Sequence, residues 1–296
     1  MKMKKEMKIK IQKMGINYTR EEETMNKKVV LKKNSNSVLF YILAGAAVFL
    51  LLLIGFSHRL LAQDRGEEIL KRVEDQTIGP KAPSDIQAEM VMVIKSTGGE
   101  EKRRELMVWT KNNPVGDDWR LMKFLAPADI KDLGFLVLAD DQMYLYMPEF
   151  QRVRRIASHN KKESFVGSDF SYDDLGTAGF SAFFVPKFKE ENEKAWVLEL
   201  ERKPGAKKQY AKIVLTVDKA TELPVRAELF DDSGQLFKIE TQENSRVGKY
   251  WIPTKFVMEN VRAGTSTGLE LRNVRVDQNL SADIFTERNL KRSVSR

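Results

Sequence analysis

Apolar and polar positions alternate through most of the chain, and this period of two predicts β-strands. The clearest pair is Asp85–Lys95 and Arg103–Lys111, which the turn residues Gly98 and Gly99 separate. The same pattern predicts further strands at Trp119–Leu125, Phe135–Ala139, a segment starting at Met143, Trp196–Glu201, Tyr210–Val217, Val225–Phe230, Gln235–Thr241, Lys249–Asn260 and Leu269–Val276. Short strands joined by local turns are typical of a mainly β, antiparallel fold.

An amphipathic helix is predicted before these strands, over Asp64–Gln76. Its apolar stripe consists of Ile69, Leu70 and Val73, at the spacing of one helical face. Gly79 and Pro80 follow and end the helix. The pattern favours a helix whose apolar side packs against the sheet.

The first 63 residues differ in character from the rest. Val38–Phe56 is an uncharged run of 19 apolar or small residues, close to the length that spans a bilayer as a helix. Lysines precede the run and Ala62 follows it, as in a secretory signal with its basic end in the cytoplasm. We expect cleavage after Ala62 or Gln63, or retention of the run as an inner-membrane anchor, with Met25 as an alternative start. Either outcome places residues 64–296 in the periplasm.

The leader, residues 1–63, also accounts for the basic balance of the chain. It carries 12 of the 50 Lys and Arg residues and 4 of the 42 Asp and Glu residues, which leaves 38 of each in residues 64–296. This neutral remainder gives no support for nucleic-acid binding. The absence of cysteine excludes disulfides, thiolate metal sites and the lipidated cysteine of a bacterial lipoprotein. The length of residues 64–296, without a repeat or linker, favours one domain.

Several predicted strands carry large apolar side chains on both faces. One face can bury against a helix, whereas the other needs a second partner. The chain has 12 methionines, several of them in these strands, and flexible thioethers suit a surface that accepts varied shapes. From the periodicity alone, an ordinary filled core explains the pattern better than a cavity does.

The stretch Met143–Leu175 carries the most specific signal. It begins as a strand of alternating Met, Tyr and Leu, stops pairing at Pro148, and continues into a cationic turn. Phe165, the run Gly167-Ser168-Asp169, two aromatic residues and the pair Asp173-Asp174 follow. This ordered run resembles the signature of the larger branch of the outer-membrane lipoprotein-sorting (LolA-like) family. Weaker similarity extends from about Glu67 to the C-terminus.

This resemblance implies a half-open antiparallel β-barrel that encloses helices and holds acyl chains in an apolar cavity. It also implies a non-enzymatic carrier or receptor for lipid or lipoprotein acyl chains, with an inner-membrane transporter as a further partner. A membrane-anchored, lipid-binding accessory or sensor subunit of an export pump is one alternative, and a structural envelope protein with a filled core is another. One register step would exchange the two faces of each strand. The candidate cavity residues therefore come from both faces: Met90, Met92, Val108, Met122, Phe124, Tyr144 and Tyr146.

Patterns for catalysis and metal binding are weak. The only histidines are His58 and His159, without a G-x-S-x-G context, which argues against a serine triad and against histidine-based zinc. The aspartates of the signature lack EF-hand spacing, so we expect them to serve as caps and turns. A phosphate-binding glycine loop is also missing from the sequence. The sequence predicts neither an enzyme nor a cofactor or metal.

Two further segments have more than one interpretation. The cationic turn, with Arg152, Arg154 and Arg155, fits an acidic partner surface or lipid headgroups, or simply a solvated turn. The apolar cluster Gly179–Phe188 is either a lid or edge segment over the cavity, or a buried connector.

Overall fold

The alternating segments pair into one antiparallel sheet in the computed structural model, which describes residues 63–113, 116–176 and 179–294. The strands are β1 Asp85–Lys95, β2 Glu101–Lys111, β3 Trp119–Ala126, β4 Gly134–Ala139, β5 Gln142–Met147, β6 Arg152–Arg155, β7 Phe184–Glu191, β8 Ala195–Arg202, β9 Lys212–Asp218, β10 Leu223–Phe230, β11 Leu236–Val247, β12 Tyr250–Asn260 and β13 Thr265–Val276. They lie in the order β6-β5-β4-β3-β2-β1-β13-β12-β11-β10-β9-β8-β7. Strands β6 and β7 are therefore the edges of an open sheet. The predicted mainly β, antiparallel fold is confirmed.

Both edge strands differ from the sequence interpretation. The predicted cationic turn is strand β6, because a short 3-10 turn at Pro148–Phe150 reverses the chain and β6 then pairs with β5. Gln151 completes this reversal with a left-handed backbone at φ 50°. Part of the cluster Gly179–Phe188 forms a one-turn helix α2, Phe180–Phe183, and the rest begins edge strand β7.

Helix α1 covers residues 63–77 of the described chain, close to the predicted bounds. Ile69, Leu70 and Val73 are buried in the main apolar core, so the predicted stripe does face the sheet. Gly66 lies so close to edge strand β7 that an added Cβ would stand 2.8 Å from the Phe188 nitrogen. This position therefore requires glycine, which allows α1 to pack directly on the β7 backbone.

The sheet is strongly curved around α1. Asp140, in the turn between β4 and β5, accepts a hydrogen bond at 2.6 Å from Lys208, which lies between β8 and β9 near the opposite edge. Side chains from strands at both ends of the sheet also join one apolar cluster with α1. A flat sheet could not bring these strands together. We call the side that faces α1 the concave face.

Residues 157–176, here called the inner segment, cross this concave face without forming a strand of the sheet. Its side chains Phe165, Phe170, Tyr172 and Leu175 are buried in the main core. The ring of Phe165 lies 5.2 Å from Phe135 of β4 and 5.7 Å from Tyr172, centroid to centroid. The inner segment therefore fills part of the space that the curved sheet encloses.

The convex face has a smaller apolar cluster of its own. Leu121, Leu136 and Tyr146 pack there against Phe285 and Leu290. Leu290 ends the short helix α3, Glu287–Leu290, which follows a 3-10 turn near the C-terminus. The described helices thus lie on both sides of the sheet: α1 within the curve and α3 outside it.

The predicted membrane-spanning run Val38–Phe56 lies outside the described residues. Within residues 63–113, 116–176 and 179–294, no helix combines the length and the apolar character needed to cross a bilayer.

Candidate functional site

A cavity of about 330 Å³ opens on the concave face, between α1, the inner segment and the sheet. This volume is at the lower end of the range of small-molecule sites. Strands far apart in the sheet order contribute to its wall, because the curvature turns their inward faces toward one another. The apolar lining residues include Val73, Ile78, Ile86, Ala88, Met90, Val108, Met122, Phe170, Leu175, Phe180, Trp251, Ile252, Phe256, Leu269 and Leu271.

Five of the seven predicted cavity residues share this concave face. Met90, Val108 and Met122 line the cavity. Met92 and Phe124 point to the same side but lie deeper in the packed core, at 1% and 0% exposure. Cross-strand pairing explains the grouping, since Met90 pairs with Leu106, and Val108 pairs with Met122.

Tyr144 and Tyr146 lie on the convex face instead. Their neighbours Met143 and Leu145 take the inward positions of β5 and join the main core. Tyr146 is buried in the convex cluster, where its ring lies 5.4 Å from the Lys123 ammonium. The structure therefore separates these two tyrosines from the other candidates and does not place them among the cavity-lining residues.

Polar groups lie at several places along the cavity wall, and most have protein partners. Glu74 of α1 accepts hydrogen bonds from the backbone and the hydroxyl of Ser181, both at 2.7 Å. Asp118 accepts one from the Asn113 backbone at 2.9 Å, and burial raises the pKa of Asp118 to about 6. Arg120 donates to the Leu175 carbonyl at 3.1 Å, and burial lowers its pKa.

Glu240 of β11 differs from these groups. Its side chain lines the cavity, and within the described chain its carboxyl has neither a hydrogen bond nor an ion pair. Burial raises the pKa of Glu240 to about 8; the nearby Asp174 adds to the shift and Lys238 opposes it. This carboxyl is therefore mainly protonated near neutral pH in the absence of a ligand.

A second cavity of about 180 Å³ continues from the first toward β9 and β10. Asp174, Gly176, Gly179, Phe180 and Glu240 line both cavities. Ile213, Ala227 and Leu229 form apolar parts of the second cavity. Glu240 thus lies at the junction of the two spaces.

A buried ionic network beside the second cavity holds the inner segment in place. Lys208 donates to Asp140 at 2.6 Å and to Asp173 at 2.7 Å, and Lys161 donates to the other oxygen of Asp140 at 2.7 Å. Burial raises the pKa of Asp140, but the hydrogen bonds from Lys161 and Lys208 outweigh it and leave that pKa lowered. Burial lowers the pKa of Lys208, but its two aspartates outweigh it and leave that pKa raised. The network therefore stabilises the charged forms of its members.

The aspartates of the signature have comparable structural roles. Asp169 accepts hydrogen bonds from Thr265 and Thr267 of β13, the latter at 2.7 Å. Asp174 accepts from the Tyr210 hydroxyl at 2.9 Å and pairs with Lys238 at 3.4 Å. These contacts fasten the inner segment to strands in the second half of the sheet. The described residues contain no acidic or histidine cluster that could hold a metal ion.

Strand β6 carries the predicted arginines on an exposed edge. Arg154 lies 3.8 Å from Glu163, and Arg155 lies 3.6 Å from Asp141, distances typical of weak surface pairs. Arg152 has neither an ion pair nor a hydrogen bond to another described side chain. Phe150, next to the strand, is 58% exposed. An aromatic ring and three cations therefore share one edge of the sheet.

The sequence did not reveal the polar lining residue Glu240 or the contribution of β13 to the cavity wall. Glu240 lies in an alternating stretch with Lys238 and Gln242, and nothing local indicates that this side faces inward. Leu269 and Leu271 were recognised as strand residues, but their approach to Met92 and Met90 depends on the long-range pairing of β1 with β13.

Comparisons with known proteins agree with this architecture. A family model described as "Uncharacterized protein" matches residues 116–292. A comparison with curated proteins gives no match. The chain is similar to the structure of a DUF1329 family protein from Desulfovibrio piger, with 27% identity, a TM-score of 0.72, and coverage of 77% of this chain and 99% of that chain.

Two further structures show the same arrangement. An outer membrane lipoprotein-sorting protein domain from Vibrio parahaemolyticus has 28% identity and a TM-score of 0.71, with coverage of 78% of this chain and 100% of that chain. A LolA superfamily protein from Nitrosomonas europaea has 18% identity and a TM-score of 0.62, with coverage of 76% and 98%. The similarity to the Nitrosomonas europaea protein, at 18% identity, is one of fold.

We predict that Lys208→Met destabilises the protein by about 3 kcal/mol, because it leaves the buried Asp173 without its cation. Lys187→Met is the matched control, since Lys187 forms a pair of similar length, 2.7 Å, with Glu201 on the surface. That change should cost less than about 1 kcal/mol. Urea unfolding of both variants measures the difference, and equal losses would contradict the role of the network.

We also predict that Glu240→Gln changes how stability depends on pH. In the wild type, stability should fall as pH rises from about 4 to 8, because the unfolded chain releases the Glu240 proton while the folded protein retains it. The variant should therefore match the wild type near pH 4 and exceed it by roughly 1–4 kcal/mol near pH 9. Denaturant midpoints at both pH values test this, with the exposed Glu259→Gln on β12 as control. An unchanged difference between the two pH values would refute the buried state of Glu240.

Proposed function

We propose that this chain is a non-enzymatic periplasmic carrier or receptor. The chain belongs to the family whose model matches residues 116–292. Its structure is similar to those of outer-membrane lipoprotein-sorting (LolA-like) proteins. In this proposal residues 64–296 bind lipid or lipoprotein acyl chains in the concave cavity. The observation that carries the proposal is a cavity of about 330 Å³ enclosed by apolar side chains from α1, β1–β3, β12 and β13.

The chemistry of the lining supports an apolar ligand. Met90, Val108, Met122 and Leu269 present hydrocarbon or thioether surface, which gains from contact with an acyl chain at about 0.8 kcal/mol per buried CH₂ group. A methionine can adjust its side chain to different ligand shapes. The acyl-contact residues of the proposal are therefore Met90, Val108 and Met122, with Met92 and Phe124 as the packed layer behind them.

The cavity also bears on the two alternatives. A structural envelope protein with a filled core would not contain a cavity of this size beside its core helix. A membrane-anchored accessory or sensor subunit of an export pump would use the same cavity and differ in keeping the run Val38–Phe56. N-terminal sequencing of the protein from native envelopes distinguishes these cases: a start near Gln63 or Asp64 supports a shuttle, and an intact leader supports the anchored subunit.

Delivery of the ligand requires contact with a membrane or a transporter. We propose that edge strand β6 binds lipid headgroups. Its three arginines can bind phosphate oxygens, and Phe150 can enter the interfacial layer. Arg154 has only a weak surface pair, whereas Arg155 also donates to the Asp141 carbonyl at 2.7 Å. In the proposal, this edge positions the cavity near the membrane from which it receives or to which it delivers its ligand.

Met90→Arg and Met92→Arg together test the cavity. Both side chains lie on the same face of β1, but Met90 lines the cavity and Met92 is packed in the core near the Arg104 guanidinium. Arg at position 90 can extend into the open space, so the protein should stay folded while co-purified lipid is lost in native mass spectrometry. Arg at position 92 should cost more than about 3 kcal/mol, because it buries an unpaired charge. A folded Met90→Arg variant with undiminished lipid would contradict the proposal.

For edge strand β6, we predict that Arg152→Ala weakens binding to vesicles that contain phosphatidylglycerol by about fivefold. This is the expected effect of removing one cation near an anionic surface. Arg275→Ala on the exposed side of β13 removes the same charge elsewhere and should have a smaller effect. Vesicle co-sedimentation measures both variants. Equal losses would indicate a general charge effect and not a binding edge.

A further inference from the structure

Glu240 occupies a position in the sheet where an apolar residue would be expected. On the concave face, its cross-strand neighbours are Ala227 of β10 and Met258 of β12, and both are buried in the main apolar core. The carboxyl faces the junction of the two cavities. The side chain is half-buried there, so its carboxyl is partly removed from water.

The other acids of the cavity wall each have a protein partner. Glu74 accepts from Ser181, Asp118 accepts from the Asn113 backbone, and Asp174 accepts from Tyr210 and pairs with Lys238. Lys238 acts on Glu240 electrostatically, but its ammonium donates to the Asp169 carbonyl at 2.7 Å and to Asp174. Among the described residues of the cavity wall, Glu240 is thus the acid without a hydrogen-bond or ion-pair partner.

An unpaired carboxyl in an apolar space reduces stability, and a ligand that supplies a cation or a donor would offset this cost. We propose that Glu240 is a headgroup site within the cavity, and that the preferred ligand is an amphiphile with a primary amine. A bound ammonium favours the charged form of Glu240, so the carboxyl releases its proton to solvent and pairs with the ammonium as a carboxylate. The hydrocarbon lies along the apolar lining. This inference rests on the proposed function, because it requires that the cavity accept hydrocarbon.

The charges around Glu240 favour an amine over an anionic headgroup. Asp174 adds a second negative charge at the junction, and its own cation, Lys238, is already engaged. Two cations line the described cavity walls, and both are engaged: Arg120 of β3 donates to the Leu175 carbonyl, and Lys208 donates to Asp140 and Asp173. A carboxylate or phosphate at the β11 side would therefore meet acids, whereas an ammonium meets a carboxylate without a partner.

The test uses full-length protein in isolated cell envelopes and two photoreactive probes, a dodecylamine and a dodecanol with the same diazirine group. Labelling of peptides from the cavity wall is quantified by mass spectrometry. The amine should label the wild type at a concentration about tenfold lower than the alcohol, the effect of one charge-assisted hydrogen bond. In Glu240→Gln the amine should fall to the level of the alcohol, while labelling by the alcohol stays unchanged.

Two controls separate the possible failures. Glu259→Gln removes an exposed carboxyl from the neighbouring strand β12 and should leave both probes unaffected. Wild-type labelling by the alcohol but without preference for the amine would overturn the headgroup site and leave the carrier proposal intact. Absence of labelling by both probes would overturn the carrier proposal itself. A dodecanoate probe that labels better than the amine, and loses this advantage in Arg120→Gln, would assign the headgroup to the opposite wall and overturn the inference.

Discussion

The fold depends on keeping a curved sheet from collapsing onto its own concave face. The inner segment occupies this space, and both apolar packing and buried polar contacts fix its position. Lys208 connects Asp173 of the segment with Asp140 near the far edge, and Lys238 connects Asp174 with β11. Pairs at this depth need complete hydrogen bonding to repay their desolvation. Because each one joins elements that are distant in the sequence, they define how far the sheet can close.

This constraint accounts for the signature that the sequence presents. Glycine is required at Gly167, where φ is 75°, so that the chain can turn between Phe165 and Asp169. Phe165 enters the aromatic cluster with Phe135 and Tyr172, and Asp169 reaches Thr267 of β13. Each residue of the run thus fixes a contact with a different strand. A resemblance based on this run indicated the fold correctly because the run contains the residues that close the structure.

Local patterns predicted α1, the antiparallel class and the strands between the two edges, since these depend on period and turns, but they missed the edge strands β6 and β7. The faces of the strands could not be predicted, because one register step exchanges them. Tyr144 and Tyr146 illustrate the limit: they alternate with Met143 and Leu145, and only the packing of Phe285 and Leu290 shows which side is convex. The polar part of the cavity was likewise hidden, since Arg120 and Glu240 come from β3 and β11, which meet only after the sheet has curved.

Two ionisable groups of the sheet, Lys123 and Glu240, show how the structure distinguishes a supporting role from a binding role. Lys123 on the convex side is 1% exposed, and burial lowers its pKa to about 8, yet it donates to the carbonyls of Leu290 and Asp132. Those bonds fasten the C-terminal segment to β3, so the charge has a structural use. Glu240 has a pKa raised to about 8, again by burial, but lacks a comparable partner in the described chain. Because Glu240 lies at the junction of the two cavities without a protein partner in the described chain, we propose that it meets the headgroup of a bound ligand.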